Sequence, residues 1–256
     1  MTGFDLSRLL ATPIVDRVEY QPVLPSTNDR AREFASHTPA GTTLLVVADE
    51  QTAGRGRGSN RWWTGPGSIA FSLLVDLERR GIERRWTAMI ALATAIAVVE
   101  AVRPRLPIGR IGLHWPNDVF VDHRKLAGVL VEALPDGRYI VGLGVNVNNS
   151  ACQAPAELAD MVTSVADLTG APCDRTELLA SILEELGVTL DVLARDPHEL
   201  GRYADRCCLQ HGHALTVSLA GQEHRGRCLG IAEDGALLLD CDGRPERFYS
   251  GVLLKP

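Results

Sequence analysis

The chain has no surplus of positive charge. Its 26 Lys and Arg residues face 32 Asp and Glu, a formal net charge of -6 over 256 residues. That balance excludes a broad basic face for a nucleic-acid backbone, so any cationic site has to be local. Aromatic residues are scarce at 5%, which leaves an RNA-binding module without the extended basic and aromatic surface it needs. The six cysteines (Cys152, Cys173, Cys207, Cys208, Cys228 and Cys241) contain no C-x-x-C pair and no histidine spacing of the zinc type. A disulfide framework is equally unsupported, and the expectation is thiols in a reducing compartment. The start, "MTGFDLSRLL", carries an early acid and no long apolar body, unlike a secretory leader. The most apolar segment, Trp86 to Val102, holds two threonines and a glutamate and falls short of the roughly 20 residues of a membrane span. It reads as a buried, alanine-rich helix, and the expected location is the cytoplasm, away from membranes. There is no low-complexity tract and no internal repeat.

What is present is enough apolar residue, 45%, for one main domain with a small appendage. "PSTNDRAREFASH" sets Ser26, Thr27 and Asn28 ahead of a short polar helix, where such side chains accept bonds from the free N–H groups of the first turn. "TTLLVVADE" and "SIAFSLLVDL" read as strands, followed by a helix from about Arg84 to Val102. Three apolar runs come next, "GLHWPNDVFVD", "KLAGVLVEAL" and "RYIVGLGVNVN", and their succession predicts an antiparallel meander rather than β-α-β units. Asp174 and Glu177 have capping-box spacing at the head of a long helical pattern, and "PHELGRYADRC" predicts a second helix. From about His211 the chain turns into short strands broken by "AGQE", "EDGA" and "CDGR", the pattern of a small all-β barrel of the SH3 kind. The expected division is residues 1–208 and 209–256.

Three clusters carry candidate chemistry. In "EQTAGRGRGSNRWW" the glycines relax the backbone while Arg55 and Arg57 present guanidinium forks suited to phosphate or carboxylate. A solvated loop, a Gly-Arg segment for RNA and a lid over a phosphate-bearing ligand are all compatible with it. The RNA reading is the weakest, because such segments are disordered and this one lies between two strands. In "HWPNDVF", Pro116 and Asn117-Asp118 spell a turn with no chemical role, or a polar pair for a ligand or magnesium. In "RKLAGVLVE", Lys125 is a solvated charge at a strand edge, or an ammonium beside a ligand admitted by Ala127 and Gly128. "GLGVNVN" repeats that pattern at Gly142, Gly144 and Asn146. The arginines of "ERRGIERRW", Arg79 to Arg85, read as a solvated linker.

In this order, "STN", "EQTAGRGRGSNRWW", "HWPNDVFVDHRKLAGVLVE" and "GLGVNVN" resemble the biotin protein ligases, over roughly residues 18 to 256. The resemblance implies an α+β fold: a mixed, largely antiparallel sheet packed with helices, like the class II synthetase-type catalytic domain of biotin and lipoate ligases, plus the SH3-like barrel. It implies activation of biotin by ATP with Mg²⁺ to biotinyl-5′-AMP, then transfer to a lysine of a biotin carboxyl carrier protein or domain. Ser26, Thr27, Asn28, Gln51, Gly54, Arg55, Lys125, Gly128 and Gly144 are the implied biotin-binding residues. Arg55, Arg57, Trp62, Asn117, Asp118, Lys125 and Asn146 fall to ATP and the adenylate, with Lys125, Arg55 and Arg57 catalytic and Asp118 near the metal. The sister lipoate and octanoate enzymes and a non-catalytic biotin sensor remain alternatives. Ser59 and Asn60 depart from the family's usual Gly-Arg, and His114 stands where many members have Lys. Only 25 residues precede "STN", so no helix-turn-helix and no DNA partner are expected. Either a monomer or a homodimer fits.

Overall fold

The seven residues Ile69–Val75 read IAFSLLV and all of them are buried, which is the signature of a strand covered on both faces. They form β3, at the middle of the larger sheet of a computed structural model that describes residues 3–107 and 110–254. In chain order the elements are α1 (Leu6–Leu10), β1 (Arg17–Leu24), α2 (Thr27–Ala35), β2 (Leu44–Gln51), β3, α3 (Ile90–Val102), β4 (Ile111–His114), β5 (Asp118–Val121), β6 (Arg124–Ala133) and β7 (Tyr139–Val145). Then come α4 (Val165–Thr169), α5 (Arg175–Arg195), α6 (Pro197–Cys207), β8 (Ala214–Leu219), β9 (Gln222–Ile231), β10 (Leu237–Cys241), β11 (Arg244–Phe248) and β12 (Val252–Leu254).

The larger sheet runs β1-β2-β3-β7-β6-β5-β4. Only β1 and β2 are parallel and the other neighbours are antiparallel, so the sheet is mixed and the expected meander is there. It has four strands where three apolar runs were read. "GLHWPNDVFVD" folds into the β4–β5 hairpin, because Pro116, after a cis Trp115–Pro116 peptide, and Asn117 turn the chain in mid-run.

Alternation along β2 shows how both faces are covered. Leu45 and Val47 join the large core shared with α3 and α5, whereas Leu44, Val46 and Ala48 pack beneath α2 with Ala31, Ala35 and Ile140. Helix α3 is enclosed on nearly every side, as its composition predicts, after a 3-10 segment over Arg84–Met89. The carboxylate of Asp174 caps α5, accepting from the N–H groups of Thr176 at 2.8 Å and Glu177 at 3.2 Å. The reciprocal half of a capping box is not made, because the Glu177 carboxylate instead meets Arg8 on α1 at 3.0 Å. The arginines of 79–85 lie in ion pairs with Asp76, Asp191, Glu78 and Glu83, consistent with a solvated segment.

Strands β8 to β12 form a second, antiparallel sheet in the order β11-β10-β9-β8-β12. Its two-residue turns, Ala220-Gly221 and Asp242-Gly243, have positive φ at both positions, as tight hairpins between twisted strands require. Trp115 holds this sheet against the hairpin. Its indole Nε1 donates to the carbonyl of Gly235 at 3.2 Å, while its backbone N–H donates to Gln210 Oε1 at 2.8 Å.

Candidate active site

A cavity of about 470 Å³ opens where α2, the 52–68 loop, the β4–β5 hairpin and the middle of β6 and β7 converge, with Val252 and Leu253 of β12 at its rim. The start of α2 lines one end. Ser26 occupies the N-cap position but its side chain makes no capping bond, contrary to the sequence reading. Gln51, at the end of β2, does that work instead. Its Oε1 accepts from the Thr27 backbone N–H at 2.8 Å and from the Thr27 hydroxyl at 3.1 Å. Behind them Ser72, fully buried on β3, lies 2.8 Å from Thr27 Oγ1 and donates to Asn28 Oδ1 at 2.5 Å. Asn28 Nδ2 donates to Glu132 at 2.6 Å, so both ends of that amide are committed to protein partners.

The "GRGRG" segment is a hairpin. Gly56 N–H donates to the Asn60 carbonyl at 2.8 Å, Trp62 N–H to the Gly54 carbonyl at 3.0 Å, and Gly58 takes the positive φ of 62° at the tip. Arg55 forks onto Glu132 at 2.9 and 3.2 Å and reaches Asp29 at 2.7 Å. Arg57 donates to Asn117 Oδ1 at 3.3 Å and to the Gly251 carbonyl at 3.2 Å, tying the hairpin to the C-terminal sheet. Asn60, one of the two departures, enters the turn through its backbone, its carbonyl accepting from Gly56 and its N–H donating to the Arg57 carbonyl at 3.2 Å.

On the opposite wall, Lys125 Nζ stands 2.7 Å from Asp118 Oδ2. Asp118 Oδ1 is buried with no hydrogen-bond partner among the described residues. Asn117 stabilises the hairpin turn, its Nδ2 donating to the Val129 carbonyl at 2.7 Å. His114 stacks on Phe120 with ring centroids 4.4 Å apart. Burial pushes its pKa below the ordinary histidine value, with the nearby Lys125 charge acting in the same direction and Asp118 against it. It is therefore a neutral ring at pH 7 and no substitute for a lysine charge.

Gly128 and Gly144 do admit a close neighbour, and that neighbour is Trp62. A methyl built on Gly144 would come within 2.6 Å of indole Cζ2, and one on Gly128 within 3.1 Å of Cζ3. Nothing holds the ring by hydrogen bonding, as its buried Nε1 has no partner among the described residues. Lys125 Nζ lies 5.6 Å from the ring centroid. Two expected site residues stand back from the cavity. Asn146 is buried, its Oδ1 accepting from Asn149 at 2.9 Å and its Nδ2 donating to the Lys125 carbonyl at 3.4 Å, so it supports the lysine's backbone. Gly54 lets the Trp62 carbonyl and Gln51 pass close by and does not line the cavity. Conversely, Ser72, Asp29 and Glu132 escaped sequence reasoning. The one available signal was a serine inside the otherwise apolar run IAFSLLV.

Residues 20–148 match the model of the biotin/lipoate A/B protein ligase family, and residues 212–252 match the biotin protein ligase C-terminal domain. The chain belongs to the biotin/lipoate A/B protein ligase family. Among its relatives, the bifunctional ligase/repressor BirA of Bacillus spizizenii is 33% identical over 244 residues, spanning 90% of this chain and 71% of that one. The biotin–[acetyl-CoA-carboxylase] ligase of Mycobacterium tuberculosis is 32% identical over 228 residues, spanning 87% and 84%. The biotin protein ligase of Aquifex aeolicus, solved in complex with biotin and ATP, superposes with a TM-score of 0.81 at 28% identity over 93% of this chain and 98% of that one. In this family member the mixed sheet with its helices and the second antiparallel sheet are thus the architecture of a biotin ligase.

Proposed function

We propose that the protein activates biotin with ATP as biotinyl-5′-AMP and transfers it to a lysine of a carboxylase's biotin carrier. The observation that carries the residue assignments is the convergence of Lys125, Arg55 and Arg57 on one cavity whose far end is the hydrogen-bonded Thr27–Gln51 pair. The donors and acceptors of that end suit the biotin ring system, and the cationic part suits its carboxylate and the phosphates.

In the first step a carboxylate oxygen of biotin bonds to the α-phosphorus of ATP as the bond to pyrophosphate breaks. Two anions approach each other, so Lys125 and the loop arginines offset the repulsion and stabilise charge on the transferring group. No group of three or more His, Cys, Asp or Glu residues is placed to hold a metal among the described residues, so Mg²⁺ would arrive with the nucleotide. The unpartnered Oδ1 of Asp118 fits it, and the ion would supply charge neutralisation at the phosphates. The product is a mixed anhydride prone to hydrolysis, and a hairpin lid bearing Arg55, Arg57 and Trp62 excludes water from it. In the second step the neutral amine of the acceptor lysine attacks the activated carbonyl, AMP leaves, and the amine loses its proton. Alignment dominates there, since the anhydride is already reactive.

In the same reading the unit beyond residue 208 is an SH3-like barrel that completes the cavity rim through Val252 and Leu253. Either a monomer or a homodimer fits this reading, and the cytoplasm supplies ATP and acceptor.

The test is ATP- and Mg²⁺-dependent attachment of biotin to a purified biotin-acceptor domain, read by intact mass, with lipoate in parallel and Lys125→Ala as control. Biotin attachment lost in the variant is the expected result. Attachment of lipoate alone, or none at all, overturns the reading.

A further inference from the structure

Glu132, on β6, has no part in the chemistry above, yet three side chains from two other segments converge on it. Its Oε2 accepts from Asn28 Nδ2 at 2.6 Å and from Arg55 Nη2 at 2.9 Å, and its Oε1 accepts from Arg55 Nη1 at 3.2 Å and Arg32 Nη2 at 3.0 Å. The side chain is 20% exposed, so these charge-assisted bonds form where water competes only in part. Asn28 in turn accepts from Ser72 in the fully buried strand β3. The result is one continuous path, Ser72 to Asn28 to Glu132 to Arg55, from the rigid centre of the sheet to a glycine-rich hairpin. Arg55 is flanked by Gly54 and Gly56, so its backbone alone does little to fix where the guanidinium points.

We propose that Glu132 is a positioning residue for biotin capture: it holds the Arg55 guanidinium at the cavity before the ligand arrives. This rests on the biotin-ligase reading of the site. Two guanidiniums, Arg32 and Arg55, meet two carboxylates, Glu132 and Asp29, so the cluster is electrically balanced and Arg55 is fixed by geometry. A guanidinium has five N–H donors, and the Nη contacts to Glu132 and Asp29 leave others for a ligand carboxylate. Fixing the fork beforehand spares the ligand the ordering of a long side chain, so the benefit falls on biotin affinity. ATP affinity and the chemical step draw on Lys125 and Arg57 as well as Arg55, so they gain less from it than biotin affinity does.

The experiment compares Glu132→Gln, Arg55→Ala and the double variant with the parent protein. Glutamine keeps the shape and an acceptor oxygen but loses the charge and the two-pronged grip on Arg55. Expected is a KM for biotin raised about tenfold in Glu132→Gln, the loss of a charge-assisted pair, with kcat and the KM for ATP within about twofold of the parent. The double variant should be no worse than Arg55→Ala alone, because the two residues act through one contact. A biotin KM within about twofold of the parent, equal effects on biotin and ATP, or additive losses in the double variant each overturn the proposal. A purely structural role would lower the thermal midpoint without splitting the two KM values. If the parent attaches no biotin, the functional reading has failed and trypsin still decides the contact: ligand-free Glu132→Gln should be cut after Arg55 faster than the parent, and equal rates overturn the proposal.

Discussion

Gly142 and Gly144 lie two residues apart on β7, on the same face, and alanine at each should fail in a different way. A methyl on Gly142 would come within 2.9 Å of Asn28 Cγ and closer still to its Oδ1. Asn28 cannot retreat, being 4% exposed and held between Ser72 and Glu132. Gly142→Ala therefore forces an overpacked site, at about 1–3 kcal/mol. It also breaks at least one buried hydrogen bond, for about 1 kcal/mol more. At about 2–4 °C per kcal/mol for a chain of this size, a total near 3 kcal/mol lowers the thermal midpoint by roughly 6–12 °C. The same methyl on Gly144 meets the Trp62 indole, whose Nε1 is hydrogen-bonded to nothing described and which the glycine-rich 52–68 hairpin carries. Gly144→Ala should leave stability within about 1 kcal/mol of the parent and weaken biotin attachment instead, because Trp62 and the cavity floor no longer close together. Differential scanning calorimetry alongside the attachment assay separates the two. Equal midpoints, or a larger loss in Gly144→Ala, would refute the view that Asn28 is pinned and Trp62 is free.

The folded chain holds His114 neutral below the pH at which an unfolded histidine protonates, so the unfolded state binds the extra proton in that window. Stability due to this site is thus complete above the ordinary histidine pKa near 6.5 and declines as pH falls toward the lowered folded value; urea midpoints at about pH 5 and about pH 8 should differ less in His114→Gln than in the parent. Biotin with ATP should protect the bonds after Arg55 and Arg57 from trypsin, and identical digestion with and without ligands would contradict a closing hairpin. Biotin alone should shift the emission of Trp62, since the ring must leave the glycine floor to admit the ligand; the shift should vanish in Trp62→Phe, and a shift retained there would place the change at another tryptophan.

The sequence by itself determined most of the elements and their order, though not α1, β1 or the split of "GLHWPNDVFVD" into two strands. Runs such as IAFSLLV and the alanine-rich helix have only one way to escape water, and the paired glycine turns of the C-terminal strands tolerate only one hairpin geometry. It also offered Lys125, Arg55, Arg57 and Asp118 as candidates, each with a plain structural reading beside it, and only the order of the four segments together, in its resemblance to the biotin protein ligases, singled them out. The partners of these groups were decided only by tertiary structure. Gln51 took over the cap expected of Ser26, Asn146 turned inward to brace the Lys125 backbone, and Trp62 packed onto the glycine floor. Glu132 and Arg55 are 77 residues apart, and Arg55 hydrogen-bonds its carboxylate because β6 and the 52–68 hairpin meet over the same end of α2. Local pattern is fixed by the neighbours a residue has along the chain, whereas hydrogen-bond partnership depends on register and side-chain direction across strands distant in sequence, and only the assembled sheet supplies those.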